Sequence, residues 1–487
     1  MTTQQRPPQH IVPPYLLRHL ATTAEPIAEF ARATLTRDQR YRRSRAVGAA
    51  AHRSVMPTPA APEGPSRLIS DAGNRERLPG RSVRDEGAPA TGDAAVDEAY
   101  DGFGATWKLY SEVYGRSSID GAGLRLLGTV HYGEGYQNAF WNGTRMVFGD
   151  GDSEIFGRFT ASLDVIGHEL THGVVEHTAG LEYSGQSGAL NESIADVFGV
   201  LVAQYAAGQD AATADWLVGG DLLLPGVKGT ALRNMLHPGT AYDDPRLGKD
   251  PQPDTMSGYV ETTEDNGGVH YNSGIPNRAF ALAAITIGGP AWEKAGRVWY
   301  DVLTGPDLKA DADFAAFARL TIDAATARFG AGSAEAAAVR DGWTTVEVGA
   351  STPEPTGGSG PKVQPDADLL LRRSGGFAGI PRQRQAKLSD LPARDRRTWQ
   401  GLLAEDTLPR LAAESAPRPD AFAYCVTCVA VELDVEVAEP DLPEQLRRLF
   451  ERTLAGHQGQ NREGKSDAGV EPGQRPTRAL PARRRPR

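Results

Sequence analysis

Residues 164–177 read DVIGHELTHGVVEH and decide the fold. Within them His168, Glu169 and His172 form H-E-x-x-H. By composition, that pattern arises by chance in a chain of this length about once in a hundred. Its spacing is helical: residues i and i+4 share one face, so both imidazoles reach the same ion. Glu169, next to His168, is then free to face a water without ligating the metal.

A catalytic metal site needs a third protein ligand and an open position. Residues 188–199, GALNESIADVFG, supply Glu192. It follows His172 by enough chain for a turn and the return of a second helix. Asp196 lies one helical turn further on, where a carboxylate can accept a hydrogen bond from the free nitrogen of a ligating imidazole. The bland alternative is that all five are ordinary polar positions on two helices, but their fall on matching turns argues against it.

The chain around this pair of helices has 487 residues, too many for one compact core. A net charge of −10 argues against nucleic acid as the main partner, because phosphate binding needs a concentrated basic surface. The basic run Arg483–Arg487 reads as a solvated tail. Two cysteines, Cys425 and Cys428, leave the first 424 residues without a disulfide. The N-terminus shows no apolar run of signal-peptide length, and no stretch reaches the roughly 18 apolar residues of a spanning helix. A soluble chain is expected, either cytoplasmic or exported by a non-standard route, without a membrane partner and monomeric.

Composition divides the chain into a first segment (1–62) ending in a Pro/Ala-rich stretch, a Gly/Asp/Asn-rich region with strand-like runs (63–165), and a helical region (166–350). A linker, STPEPTGGSGPKVQP, covers 351–365. A small α/β module (366–456) follows, with strands DLLLRR and FAYCVTCVAVELDVEV around a central helical stretch, and then a disordered tail (457–487). The class is α+β.

Residues 66–350 resemble the thermolysin family, and more narrowly its protealysin-like branch. Besides H-E-x-x-H, the resemblance rests on NAFW (138–141), MVFGDGD (146–152), TAGLEY (178–183), ALRNM (231–235) and DNGGVHYNSGIPN (265–277). It implies a two-lobe zincin, β-rich then helical, with zinc between the lobes. By that resemblance zinc is held by His168, His172 and Glu192, and Asp196 orients His168. Glu169 is the base that takes a proton from water. His270 and Tyr183 donate to the oxyanion, and Asp265 orients and charges His270. Asn138 and Ala139 hydrogen-bond a peptide substrate's backbone, and Arg233 holds a substrate carbonyl beside an apolar pocket. Cleavage before bulky hydrophobic residues is implied.

The family's paired calcium site needs clustered carboxylates. Asp164 and Asp215 match two of its places, but Ala203, Leu217 and Gly220 stand near the others and cannot supply oxygen side chains. The double calcium site is expected to be absent or much reduced, with a weaker single calcium site left open. IVPPYLL (11–17) resembles the Pro-Pro-x-x-Leu element of the short propeptides of this branch, with Pro13, Pro14 and Leu17 in the matching places. Cleavage is expected between Ser54 and Arg67.

Residues 369–380 and 419–431 resemble emfourin, a small protein inhibitor of protealysin. The resemblance implies an intramolecular inhibitor, docking through the loop 374–380. Cys425 and Cys428 stand three apart in a strand, on opposite faces, and suit neither a disulfide nor a shared metal. Two other readings compete: a catalytically silent peptide-binding scaffold, which loss of Glu169 or a ligand would favour, and an inhibitor of other proteases acting through 366–456.

Overall fold

The structure, a computed structural model, describes residues 9–48, 64–349 and 366–455, the last apart from 376–381, 405–406, 416–420, 432 and 443. The chain divides into two compact units, Met1–Thr352 and Pro353–Arg487. The expected maturation stretch 54–63, the linker 351–365, the tail and most of the loop 374–380 lie outside the described residues.

The first unit opens with a short strand β1 (Gln9–His10) and helices α1 (Pro14–Leu20) and α2 (Ile27–Gly48). Pro14 begins α1, where a missing N–H costs nothing and φ is already helical. Then come β2 (Arg67–Arg75), β3 (Arg81–Asp85), α3 (Ala94–Lys108), β4 (Leu126–Tyr132), β5 (Ala139–Trp141) and β6 (Met146–Phe148). The six strands form one mixed sheet in the order β1-β5-β6-β4-β2-β3. β1 therefore extends the edge of the sheet, antiparallel to β5, with Gln9 opposite Trp141 and His10 opposite Phe140.

Helix α3 stands within the region read from sequence as Gly/Asp/Asn-rich with strand-like runs (63–165), where no helix was expected. Its glycines and aspartates look like loop composition. Yet Asp93 caps its N-terminus through Ala95 and Val96 N–H, and Val96, Ala99, Tyr100 and Phe103 bury one face. The expected lobe boundary at 165/166 falls inside the next helix, α4 (Leu163–Glu176).

Helix α5 (Gly185–Ala207) packs directly on α4. Four two-residue strands come next, β7 (Leu217–Val218), β8 (Arg233–Asn234), β9 (Asp243–Asp244) and β10 (Gly248–Lys249). The helical lobe closes with α6 (Asp265–Asn272), α7 (Gly274–Ile287), α8 (Ala295–Thr304), α9 (Phe314–Phe329) and α10 (Ala334–Thr345). One continuous apolar core runs through this unit. It includes Ile11, Val12, Leu16, Leu17, Leu20 and Ile27 of the N-terminal segment. Burying each such side chain contributes about 1.5–3 kcal/mol before ordering costs.

The second unit has β11 (Asp368–Gly375), β12 (Arg382–Lys387), α11 (Ala393–Ala404), α12 (Thr407–Glu414), β13 (Phe422–Cys428), β14 (Leu433–Ala438) and α13 (Glu444–Ala455). Its antiparallel sheet runs β12-β11-β13-β14. The apolar run expected as one strand is a hairpin, β13 and β14; β12 lacks apolar alternation, whereas α13 carries Leu446, Leu449, Phe450 and Leu454 at helical spacing, a signal the sequence reading passed over. Leu369, Leu371, Tyr424, Val426 and Val437 bury one sheet face with Trp399, Leu408, Leu449 and Phe450. Alternation leaves Cys425 half-buried and Cys428 inside, both as free thiols.

At the end of β4, His131 has φ 53° and sits between two carboxylates, Asp150 at 2.9 Å and Asp93 at 3.1 Å. Asp150, outweighing partial burial and assisted by Asp93, lifts its pKa from 6.5 to about 9. A raised folded-state pKa gives stability that is complete below about pH 6.5 and is lost as pH rises through about 9. His131→Asn keeps a residue tolerant of the left-handed backbone but removes the charge. The difference in Tm between wild type and His131→Asn is therefore expected to be largest near pH 6 and to vanish above about pH 9, as read by thermal scans across that range.

Candidate metal centre

Helices α4 and α5 approach so closely that a Cβ on Gly199 would lie 2.9 Å from the His168 backbone nitrogen and closer still to the Asp164 backbone carbonyl. A Cβ on Gly167 would meet the Gly199 Cα at 3.0 Å. This approach sets Glu192 and Asp196 of α5 against the face of α4 that carries His168 and His172. All four side chains are buried.

The outer nitrogens fix the tautomers. His168 Nδ1 lies 2.8 Å from Asp196 Oδ1, and His172 Nδ1 lies 2.9 Å from Asn191 Oδ1. Ionised carboxylate and amide oxygens only accept, so each Nδ1 carries the proton and each Nε2 presents a lone pair. Those two Nε2 atoms face each other at 3.0 Å, and Glu192 oxygens stand 3.5–3.6 Å from them. Burial, outweighing Glu192, holds His172 neutral with a pKa lowered to about 3. Glu192 Oε2 is buried without a hydrogen-bond partner. Converging lone pairs and an orphaned carboxylate oxygen fit a divalent cation. Among the described residues, His168, His172 and Glu192 are the one group of three whose ligand atoms, all within 4.8 Å of one another, could hold a metal. Two nitrogens and one oxygen suit zinc with an open position.

Glu169, the residue between, does not join that group. Its Oε2 accepts the Trp141 N–H at 2.9 Å. Burial, and then the Glu192 charge, push its pKa well above the usual carboxylate range. A group so poised holds a proton readily.

His270 comes from α6, whose first turn is not helical: Asp265, Asn266, Gly267 and Gly268 all have positive φ. That left-handed run folds the Asp265 carboxylate back onto His270, 2.7 Å from Nδ1 and 2.8 Å from its backbone N–H. Against the penalty of burial, Asp265 and then Glu192 raise the His270 pKa to about 9, so the imidazole is cationic at neutral pH. Its Nε2 lies 3.4 Å from Tyr183 Oη, which donates to Glu192. A histidine in a Gly-rich stretch is usually a surface residue, but this one is buried.

Arg233 on β8 makes a bidentate pair with Asp196, Nε at 2.8 Å and Nη2 at 2.7 Å. Asn277 Nδ2 donates to the same carboxylate at 2.8 Å. Against its own burial, Asp196 stays ionised well below the usual range, chiefly through Arg233 and then His168.

The N-terminal segment lies in this cleft. Ile11 N–H donates to Ala139 O at 3.3 Å, and Val12 N–H to Asn138 Oδ1 at 2.9 Å. Arg233 Nη1 donates to Ile11 O at 3.0 Å, and His270 Nε2 faces His10 O at 3.0 Å. Pro13 and Pro14 turn the chain from this strand into α1, where Leu16 and Leu17 are buried and Tyr15 packs on Tyr271 at 4.3 Å.

Every residue singled out from the sequence for the site thus lies at one cleft. Sequence reasoning missed Asn191, Asn277 and the Trp141 amide. Asn191, next to Glu192 within ALNESIAD, and Asn277, at the end of DNGGVHYNSGIPN, stood inside quoted motifs and could have been found there. It also missed Asp38 of α2, which accepts from Tyr136 Oη at 2.6 Å and Asn138 Nδ2 at 3.1 Å. Nothing in the sequence near Asp38 signals that role. Of the residues matched to the paired calcium site, Asp164 accepts from Ser162 and the Gly219 N–H, and Asp215 caps the Leu217 N–H.

Comparison with known proteins gives three family matches. The thermolysin metallopeptidase catalytic domain covers residues 69–176, its alpha-helical domain 179–348, and emfourin 371–454. An extracellular metalloprotease of Pectobacterium carotovorum is 52% identical over 347 residues, 71% of this chain and 98% of that protein. A thermolysin of Alicyclobacillus acidocaldarius is 39% identical over 57% of this chain, which spans 50% of that longer protein. Among solved structures, the precursor of protealysin, a metalloproteinase from Serratia proteamaculans, is 51% identical with a TM-score of 0.64, over 70% of this chain and 99% of that one.

Because Asp196 fixes the proton on His168 and also anchors Arg233, Asp196→Asn is expected to weaken zinc retention about 10- to 100-fold. Competition with a chromogenic chelator measures it. Far-ultraviolet circular dichroism is expected to stay unchanged.

Proposed function

The chain belongs to the thermolysin metallopeptidase family, in its protealysin-like branch with an emfourin domain, and from that premise we propose a zinc-dependent endopeptidase made as a precursor and restrained by its own ends. One observation carries this reading: two Nε2 lone pairs and a Glu192 oxygen converge beside a separate buried carboxylate, Glu169. His168, His172 and Glu192 would hold zinc, which supplies Lewis-acid polarisation of the scissile carbonyl and a lowered water pKa.

Glu169 takes the proton of the attacking water and passes it to the departing amine, a role its raised pKa suits. His270, held cationic by Asp265, donates to the developing oxyanion, with Tyr183 beside it. Asn138 and Ala139 read the peptide main chain as an added strand, largely blind to side chains. Arg233 positions the next carbonyl, fixed by Asp196. Preference for a bulky hydrophobic residue after the scissile bond follows from the family resemblance and accords with buried Ile11 at that place.

The N-terminal segment covers the donors and acceptors a peptide substrate would use, and so blocks the cleft. The emfourin domain adds a second restraint, by its likeness to a protealysin inhibitor. No helix of the described residues is long and apolar enough to cross a membrane. The Pectobacterium relative is named an extracellular protease, and export of this chain is part of the proposal.

Two measurements test this. Glu169→Gln is expected to lower kcat on a peptide with a bulky hydrophobic residue after the scissile bond by roughly 10²- to 10⁴-fold while zinc content is kept. Removal of Pro353–Arg487 is expected to raise the rate on the same peptide. Equal rates with and without that unit would remove the second restraint and leave the enzyme.

A further inference from the structure

We propose that the peptide bond His10–Ile11 is an internal substrate, cut by the chain's own active site as the first step of release. The inference rests on the endopeptidase reading and fixes which bond is attacked.

Four contacts set the register. His270 Nε2 lies 3.0 Å from the His10 carbonyl oxygen, the position of the oxyanion donor. The Ile11 N–H points to Ala139 O at 3.3 Å. The next carbonyl, that of Ile11, accepts from Arg233 at 3.0 Å, and the next N–H, that of Val12, donates to Asn138 at 2.9 Å. Shifting the segment by one residue in either direction would reverse donors and acceptors along the strand and lose all four. The side chains agree with this placement. Ile11 and Val12 are buried. His10 packs on Phe140 at 5.3 Å, and Gln9 Nε2 reaches Asn191 at 3.4 Å. A donor beside the His10 carbonyl oxygen and an acceptor facing the Ile11 N–H single out one bond.

The chemistry is plain hydrolysis. The water oxygen adds to the His10 carbonyl carbon and the bond to the Ile11 nitrogen breaks. Both water protons end on that nitrogen, the first of them passed through Glu169, leaving a carboxylate on His10 and an ammonium on Ile11. Release is then ordered. Among the described residues upstream of the cut, the sheet pairing is that of Gln9 and His10 in β1. Downstream, α1 and α2 stay anchored by Leu16, Leu17, Leu20 and Ile27. The part of the cleft before the scissile position opens first.

The full chain, incubated with zinc and an added hydrophobic peptide, is followed by intact mass and N-terminal sequencing. The expected products are a fragment ending in His10 and a chain beginning at Ile11. They should form at a rate independent of protein concentration, because substrate and site share one molecule. Ile11→Pro, which removes the N–H, is expected to abolish that fragment. Register is tested without turnover in the zinc-stripped Glu169→Gln chain, where amide exchange across residues 9–12 is expected to be slow and to quicken in Ile11→Pro. Hydrolysis of the added peptide while His10–Ile11 remains intact in every molecule overturns the internal site and leaves the enzyme standing. So does a cut confined to bonds beyond residue 48, or fast exchange at 9–12. Failure to cut either peptide overturns both readings.

Discussion

The tightest constraint in the molecule is the crossing of α4 and α5 at Gly167 and Gly199. Backbones that near leave no room for a Cβ on either helix. The effect on the site is geometric: Asp196 and Glu192 are brought against the His168–His172 face with no side chain intervening. Asp196 then becomes a junction. One carboxylate receives His168, Arg233 and Asn277. The orientation of His168 and the placement of the Arg233 guanidinium are thereby tied to a single buried charge. Such a charge persists in the interior because its neighbours satisfy it fully.

The second organising fact is that the N-terminal segment is built into the core and not laid upon it. β1 completes the edge of the sheet, α1 meets the helical lobe through Tyr15 and Tyr271, and α2 reaches Tyr136 and Asn138 through Asp38. Its grip combines main-chain hydrogen bonding along the cleft with apolar anchoring beside it. The two components answer to different things: the first to the site's own donors, the second to buried area.

Legibility in the sequence followed the range of the interactions. His168, Glu169 and His172 could be read because their spacing is local and one helix turn enforces it. Glu192 and Asp196 repeat that logic on the next helix. Arg233 and His270 carry no such local mark. A buried arginine on a two-residue strand and a histidine behind four left-handed residues are placed by tertiary structure, and only family resemblance pointed to them. Helix α3 was hidden because Gly and Asp are poor helix formers, and burial of one face together with an Asp93 cap overrides that preference. Strand β12 was hidden for the opposite reason: RQRQAK has no apolar alternation, since an edge strand needs little. Asp38 and Asn138 lie a hundred residues apart in sequence, and no periodicity links them.

A core completed by its N-terminal segment also bears on durability if that segment is released as proposed. The folded state with Ile11, Leu16, Leu17 and Leu20 in place includes apolar burial that a released form would lack. An unfolded molecule without the segment would face a shallower equilibrium than one that still carries it. Lifetime after release would then be governed by the height of the unfolding barrier and not by the depth of the folded well. The helix crossing at Gly199, deep in the interior and independent of the segment, is the kind of contact on which such a barrier rests.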